Sequence, residues 1–320
     1  MHDLMKSLYP PIQPSQTYRL DVGDGHVLYV EESGNRKGLP VIYLHGGPGS
    51  GCKPFHHRFF NPEQYRIILL DQRGSGRSTP SGGTANNTTQ HLIGDLEAVR
   101  LYLKVKRWVL FAGSWGSTLA LLYAQQYPKR VAGMLLRGSF LARQRDLDWY
   151  IRDGANRLYP EQWDELTRVV ASVEPDLIGA LHGFLYGQDE VAAHRAAKAW
   201  LAWGAQLALG ATYDAGEIDA RTDASYMPQT YIELHYAMNK YFIEENQILL
   251  QCHKIPKKLP VILIHGRHDV VCPPEASYQL KQRLPSAELL ILPNSGHLPM
   301  GDEMLDALVS ASDRLAQRLA

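Results

Sequence analysis

Apolar positions fall in short blocks along the first part of the chain, each closed by turn residues. Val27–Glu31, Val41–Leu44 and Arg66–Leu70 have the length and composition of strands, the last running into Asp71-Gln72-Arg73-Gly74-Ser75-Gly76. The period then changes: Leu92, Leu96, Val99 and Leu103 recur at helical spacing and predict a helix over His91–Leu103. Trp108–Phe111 reads as a buried strand, Trp115–Tyr127 as a helix stopped by Pro128, and Val131–Leu136 as a further strand. Such alternation predicts a mostly parallel sheet with helices on both faces.

From Phe140 to about His253 the rhythm is different. Trp, Tyr, Ala, Arg and Gln dominate, and apolar residues keep helical spacing in Glu161–Val170 and Val191–Trp203 with no clear strand. The strand pattern returns at Pro260–Ile264 and Glu288–Leu292, and Met304–Leu319 closes the chain as an amphipathic helix. The expected organisation is a sheet core formed by residues 1–139 and 254–320, interrupted by a helical cap over 140–253.

Composition narrows the function. At 320 residues the chain can bury about three-quarters of its unfolded surface, so no disulfide or metal staple is needed. Lysine plus arginine number 33 and aspartate plus glutamate 33, a balance that speaks against nucleic acid or anionic lipid as partner and for a small neutral or zwitterionic ligand. Cys52, Cys252 and Cys272 lack C-x-x-C spacing and read as free thiols in a reducing compartment. Residues 1–20 show no apolar signal region, and no apolar run approaches the roughly 18 residues of a membrane span, so a cytoplasmic location is expected.

The most specific local signal is Phe111-Ala112-Gly113-Ser114-Trp115-Gly116-Ser117, set between a strand and a helix. Small residues at 112, 113 and 116 allow the sharp turn of a nucleophile elbow, with Ser114 projecting above the sheet; Ala112 takes the first glycine position of G-x-S-x-G. A serine nucleophile needs a base, and the base needs an orienting acid. Asp269, after the strand ending at Ile264, and His297, after the strand ending at Leu292, supply them in the order Ser, Asp, His. His45-Gly46-Gly47-Pro48-Gly49 follows another strand, and the N–H groups of Gly47 and Trp115 are the expected oxyanion donors. That glycine-rich loop does not match a phosphate loop, because Cys52 displaces Lys53. No H-E-x-x-H or comparable spacing suggests a metal, and no cofactor is expected. His45, His265 and His268 read as loop-packing residues, and His56-His57 as a polar loop pair.

With these residues in place, the chain resembles the prolyl aminopeptidases (proline iminopeptidases), serine peptidases of the α/β-hydrolase fold. The likeness spans nearly the whole sequence. It is carried by His45-Gly46-Gly47-Pro48-Gly49, Asp71-Gln72-Arg73-Gly74-Ser75-Gly76-Arg77-Ser78, Gly113-Ser114-Trp115-Gly116-Ser117-Thr118-Leu119-Ala120, Leu136-Arg137-Gly138 and Gly266-Arg267-His268-Asp269. The resemblance implies removal of an N-terminal residue, typically proline, from short peptides with a free N-terminus, the cap enclosing that residue. It also implies the triad Ser114, Asp269 and His297 and the oxyanion donors Gly47 and Trp115. By the same resemblance Glu233 holds the substrate's amine, and Arg137, Phe140, Tyr150 and Cys272 line the pocket. The chain departs from the family pattern at three positions. Trp200-Leu201-Ala202-Trp203 is followed by Gly204 where a second glutamate is expected, and Ile151 and Ala237 stand where aromatics are expected. A roomier, less proline-specific pocket follows. An esterase or amidase that has lost the amine grip is the alternative.

Overall fold

Alternation within each strand decides which side chains face which helices. In the computed structural model, which describes residues 5–170, 176–216 and 226–319, β1 (Gln16–Asp21), β2 (Val27–Gly34), β3 (Leu39–Leu44), β4 (Tyr65–Asp71), β5 (Trp108–Gly113), β6 (Val131–Arg137), β7 (Val261–Gly266) and β8 (Ala287–Leu292) join in one sheet. Their spatial order is β1-β2-β4-β3-β5-β6-β7-β8. β1 and β2, and β2 and β4, pair antiparallel; all other neighbours are parallel. Ile42, Leu44, Leu110, Met134, Leu136 and Leu263 point to one face, and Val41, Tyr43, Val109, Phe111, Leu135, Ile262 and Ile264 to the other, as a two-residue period demands. Burial on both faces explains why the central strands read as continuous apolar runs.

Helices cover both faces. α1 (Thr89–Tyr102) and α2 (Trp115–Gln126) pack on the first through Leu92, Leu96, Val99, Leu119 and Leu122. Between β6 and β7 the chain forms α3 (Gln144–Ile151), α4 (Pro160–Val170), α5 (Leu177–Leu185), α6 (Glu190–Leu209) and α7 (Met227–Met238), with no strand among the described residues. These helices share a separate apolar cluster built on Trp163, Leu166, Leu181, Trp200, Trp203 and Leu234. α8 (Glu275–Arg283) joins the first face and α9 (Asp302–Leu319) the second, the latter through Met304, Leu308, Ala311 and Leu315.

The expected strands and helices are present, with ends that differ by a few residues. Two elements lie outside the expectation. β1 is an edge strand whose side chains are exposed or half-buried, with only Tyr18 and Leu20 packing inward, and α8 buries only Ala276, Ser277 and Leu280. His56 also differs from its expected polar loop role: it is buried and stacked on Tyr43 with ring centroids 4.1 Å apart.

Two glycines give opposite tests of packing. A Cβ built on Gly116 would stand 2.1 Å from the Leu44 carbonyl oxygen, so Gly116→Ala must push α2 off β3. Gly116→Ala should cost about 2 kcal/mol or more in chemical denaturation, the scale of overpacking in a rigid core. Gly94, exposed within α1, meets nothing within 4 Å of its Cβ position, and Gly94→Ala should stabilise by about 0.5–1 kcal/mol in the same assay.

Candidate active site

The parallel strands all present their carboxyl ends on one edge, and Gly47, Ser114, Trp115, Asp269 and His297 all lie in the segments that follow those ends. Ser114 sits between β5 and α2 at φ 54, ψ −127, a conformation that L residues rarely adopt. Its N–H donates to the Arg137 carbonyl at the end of β6 (3.0 Å), and its carbonyl accepts the Ser117 N–H (2.8 Å) and hydroxyl (2.6 Å). Its hydroxyl lies against the Cys272 thiol. Gly46 approaches from the loop after β3; a Cβ there would stand 3.3 Å from the Ser114 Cβ. Trp115 opens α2, so its N–H belongs to the first turn, where no intrahelical acceptor exists. Gly47 adopts φ +108 in the same loop.

Asp269 follows β7 and His297 follows β8. The Asp269 Oδ2 and His297 Nδ1 are 2.8 Å apart, both residues buried. The other carboxylate oxygen accepts the Cys272 N–H at 2.8 Å. Burial alone would raise the Asp269 pKa, but the His297 charge and hydrogen bonds from His265 and His297 outweigh it and hold the carboxyl below the usual range. Among the hydrogen bonds of the described residues, none joins the Ser114 hydroxyl to His297. Both residues are tied instead to Arg137, which accepts from Ser114 through its carbonyl and donates through Nη1 to the His297 carbonyl.

The polar string after β4 braces this edge. Asp71, fully buried, accepts from the N–H of Cys52 (2.6 Å) and from the N–H and Nε of Arg77 (both 2.9 Å). The Gln72 N–H donates to His45 Nε2 (3.1 Å), its side-chain amide donates to the His45 carbonyl (3.0 Å), and its Oε1 accepts the Trp115 indole N–H (3.0 Å). Arg73 forks onto Asp95 at 2.8 and 2.9 Å. The loop carrying Gly46 and Gly47 is thereby fixed to the elbow.

On the cap side, Glu233 projects from α7. The Trp200 indole N–H donates to one of its oxygens (2.8 Å) and the Gln229 amide to the other (2.7 Å). No basic side chain of the described residues lies within ion-pair distance of it. Burial pushes its pKa up, and the two neutral donors only partly oppose that. Tyr150, on α3, packs edge-on against Trp200 at 5.5 Å. Its phenol is raised well above the ordinary value by burial and then by Glu233, Tyr241 and Cys272. Phe140 meets Tyr241 edge-on at 5.0 Å, its N–H and carbonyl held by the hydroxyls of Ser117 and Thr118.

Some residues play parts that the sequence reading does not assign. Arg137 lies beneath the elbow, its guanidinium 2.3 Å from where a Gly113 Cβ would be, with no carboxylate of the described residues in ion-pair range. His265 is buried as a packing residue, and its Nε2 also comes within 3.3 Å of Asp269. His45 is buried in the loop packing, and His268 is exposed. Trp200 and Gln229 bond to Glu233, and Tyr241 packs on Trp115 and Phe140; the paired tryptophans of α6 are the only local signal for the first, and nothing in the local pattern marks the other two. The space before Gly204 is taken by the Tyr150 hydroxyl, 2.8 Å from a Cβ built there. Ile151 is half-buried at the edge of the cap cluster and Ala237 is buried within it. Among the described residues, no three histidine, cysteine, aspartate or glutamate side chains converge as a metal site requires. No helix among them is long and apolar enough to cross a membrane.

Residues 40–303 match the α/β hydrolase fold family. The chain is 44% identical over 317 residues to a proline iminopeptidase of Xanthomonas citri, covering 98% of this chain and 100% of that one. It is 39% identical over 312 residues to a proline iminopeptidase of Arabidopsis thaliana, covering 97% and 82%. Among solved structures, a proline iminopeptidase of Mycobacterium smegmatis superposes with a TM-score of 0.61 at 17% identity over 95% of this chain and 100% of that one. A putative aryl esterase of Burkholderia cenocepacia does so at 0.63 and 19%, over 95% and 100%, so the structural likeness shows the fold alone. Extent and identity of the sequence match together establish that the chain belongs to the proline iminopeptidase family of α/β hydrolases.

Proposed function

We propose that the protein is a serine aminopeptidase that releases N-terminal proline or another small apolar residue from short peptides. The observation that carries this reading is Glu233, a half-buried carboxylate held by two neutral donors with no cation of the described residues in ion-pair range, its donor Trp200 packed edge-on against Tyr150. A carboxylate partly withdrawn from water favours a cationic partner, and a substrate ammonium would supply the one that the described residues do not. Relatives named proline iminopeptidases across nearly the full length support the same assignment.

In the proposed cycle Ser114 is the nucleophile, His297 the base and Asp269 its orienter. The hydroxyl turns about one side-chain bond from Cys272 to the imidazole, and its oxygen attacks the first carbonyl while His297 takes the proton. The N–H groups of Gly47 and Trp115 receive the oxyanion. Collapse of that intermediate breaks the C–N bond, and the proton passes from His297 to the departing amine. Water, deprotonated by His297, then opens the acyl-enzyme and frees the amino acid. The helical segment 140–253 acts as the cap that excludes bulk water and measures the first residue. The Asp269 carboxylate stays ionised throughout, as its lowered pKa supports.

Ser114→Ala should reduce turnover of a prolyl arylamide by about four to six powers of ten, with the melting curve unchanged. Near-wild-type turnover would reject the nucleophile. Glu233 is tested by comparing a prolyl arylamide with its N-acetylated form: the free amine should be required, and equal cleavage would favour the esterase or amidase reading. Glu233→Gln should raise KM for the free-amine substrate about 30-fold or more with a smaller change in kcat. In the unsubstituted enzyme that KM should climb as pH falls toward the raised Glu233 pKa, because protonation removes the charge that holds the ammonium. The climb should be absent in Glu233→Gln.

A further inference from the structure

The exit from the cap contains an unusual backbone. Beyond α7, Lys240, Tyr241 and Phe242 have φ values of 49°, 55° and 54°, three consecutive non-glycine residues in the left-handed region. An L side chain there brings Cβ against the following carbonyl, so glycine or asparagine is the usual occupant. A run of this kind persists only where its surroundings over-determine it. The surroundings are visible: the Thr89 hydroxyl donates to the Tyr241 carbonyl at 2.6 Å, and the Gln90 amide donates to the Phe242 carbonyl at 2.7 Å, both from the start of α1. One turn earlier, the Tyr236 hydroxyl donates to the Asn87 side chain at 2.9 Å.

What the turn delivers is the Tyr241 ring. It stacks on Trp115 with centroids 5.7 Å apart and meets Phe140 edge-on at 5.0 Å. It packs against the apolar clusters of both the sheet core and the cap. Trp115 directly follows Ser114, and Phe140 is one of the residues expected to line the pocket, so these two contacts set the Tyr241 ring beside the candidate nucleophile. Four residues before it in the chain, buried Ala237 leaves a methyl where the family pattern leads one to expect an aromatic ring.

We propose that Tyr241 is a specificity-determining residue, its ring supplying the wall of the acyl pocket that Ala237 leaves open and thereby limiting the size of the N-terminal side chain admitted. The pocket is then closed and selective despite Ala237, contrary to the roomier pocket expected from sequence. The left-handed turn is retained because it aims this ring; glycine would suit the backbone better but would remove the wall. The inference rests on the aminopeptidase reading above for the identity of the substrate.

The experiment compares kcat/KM for prolyl, leucyl and phenylalanyl arylamides in wild type, Tyr241→Gly, Tyr241→Phe and the double variant Tyr241→Gly/Ala237→Phe. Tyr241→Gly relieves the backbone and should melt no lower than a few degrees below wild type. Its ratio of prolyl to phenylalanyl kcat/KM should fall by about 10-fold or more, the range over which a pocket discriminates by size. Tyr241→Phe should keep the ratio within about 3-fold, and adding Ala237→Phe to Tyr241→Gly should recover part of it. A ratio unchanged within about 2-fold in Tyr241→Gly, or an equal loss on all three substrates, overturns the proposal. Should Tyr241→Gly fail to fold, Tyr241→Leu is read by the same ratio. Should wild type cleave N-acetylated substrates equally well, the aminopeptidase reading fails separately, and the wall is tested by the ratio for p-nitrophenyl acetate against p-nitrophenyl benzoate.

Discussion

A turn with no room for a side chain at its third residue governs the rest of the structure. Between β5 and α2 the chain reverses so tightly that Gly116 lies on the Leu44 carbonyl, and Ser114 is forced to φ 54. The close approach does two things at once. It projects Ser114 clear of the sheet, and it brings the first turn of α2, with its unpaired N–H groups, beside the loop that carries Gly46 and Gly47. The candidate nucleophile and the candidate donors for its oxyanion are thus consequences of one backbone geometry. The strain is held by packing on both sides: Arg137 beneath, with its carbonyl accepting the Ser114 N–H, and Leu44 above.

Polar residues in the core serve the same end. Asp71 is a buried charge that costs stability unless every lone pair is met, and two backbone N–H groups and a guanidinium meet it. Burial would raise its pKa, yet His45 and the donors Arg77 and Cys52 together bring it below the ordinary value. The return is rigidity, since Asp71 links the strand β4 to Cys52 and Arg77, while the adjacent Gln72 links His45 to the Trp115 indole. A loop left to itself at this edge would have no reason to keep its amides aimed at one point.

Much of this was legible from residue order. Parallel central strands, buried on both faces, announce themselves as apolar runs, and each triad candidate follows such a run directly, so position along the chain implies position in space. Edge elements carry a weaker signal: β1 offers only Tyr18 and Leu20 to the core, and α8 is mostly solvated. Side chains whose role depends on distant backbone were not legible. Trp200 reaches Glu233 across 33 positions, His265 reaches Asp269 only because the loop after β7 folds back, and Tyr241 needs Thr89 from a different layer to hold its turn. The Tyr241 ring, set just past the end of the helix in a conformation that no propensity favours, was hidden from the sequence for the same reason.

Charge arrangement separates recognition from chemistry. At the edge that carries the triad candidates, Asp269 is surrounded by groups that favour its ionised form and lies 2.8 Å from the His297 ring. On the inserted helices, Glu233 has only neutral donors among the described residues, so burial disfavours its ionised form. At Gly204, where the family resemblance leads one to expect a second glutamate, the Tyr150 hydroxyl takes the space that a side chain would enter. A single raised carboxylate binds an ammonium less strongly than a pair would, and more of the discrimination between substrates must then come from the shape of the apolar walls. On the proposed function, Gly204 and Tyr241 are complementary: the first leaves a single carboxylate for the amine, and the second offers a ring for selection by fit.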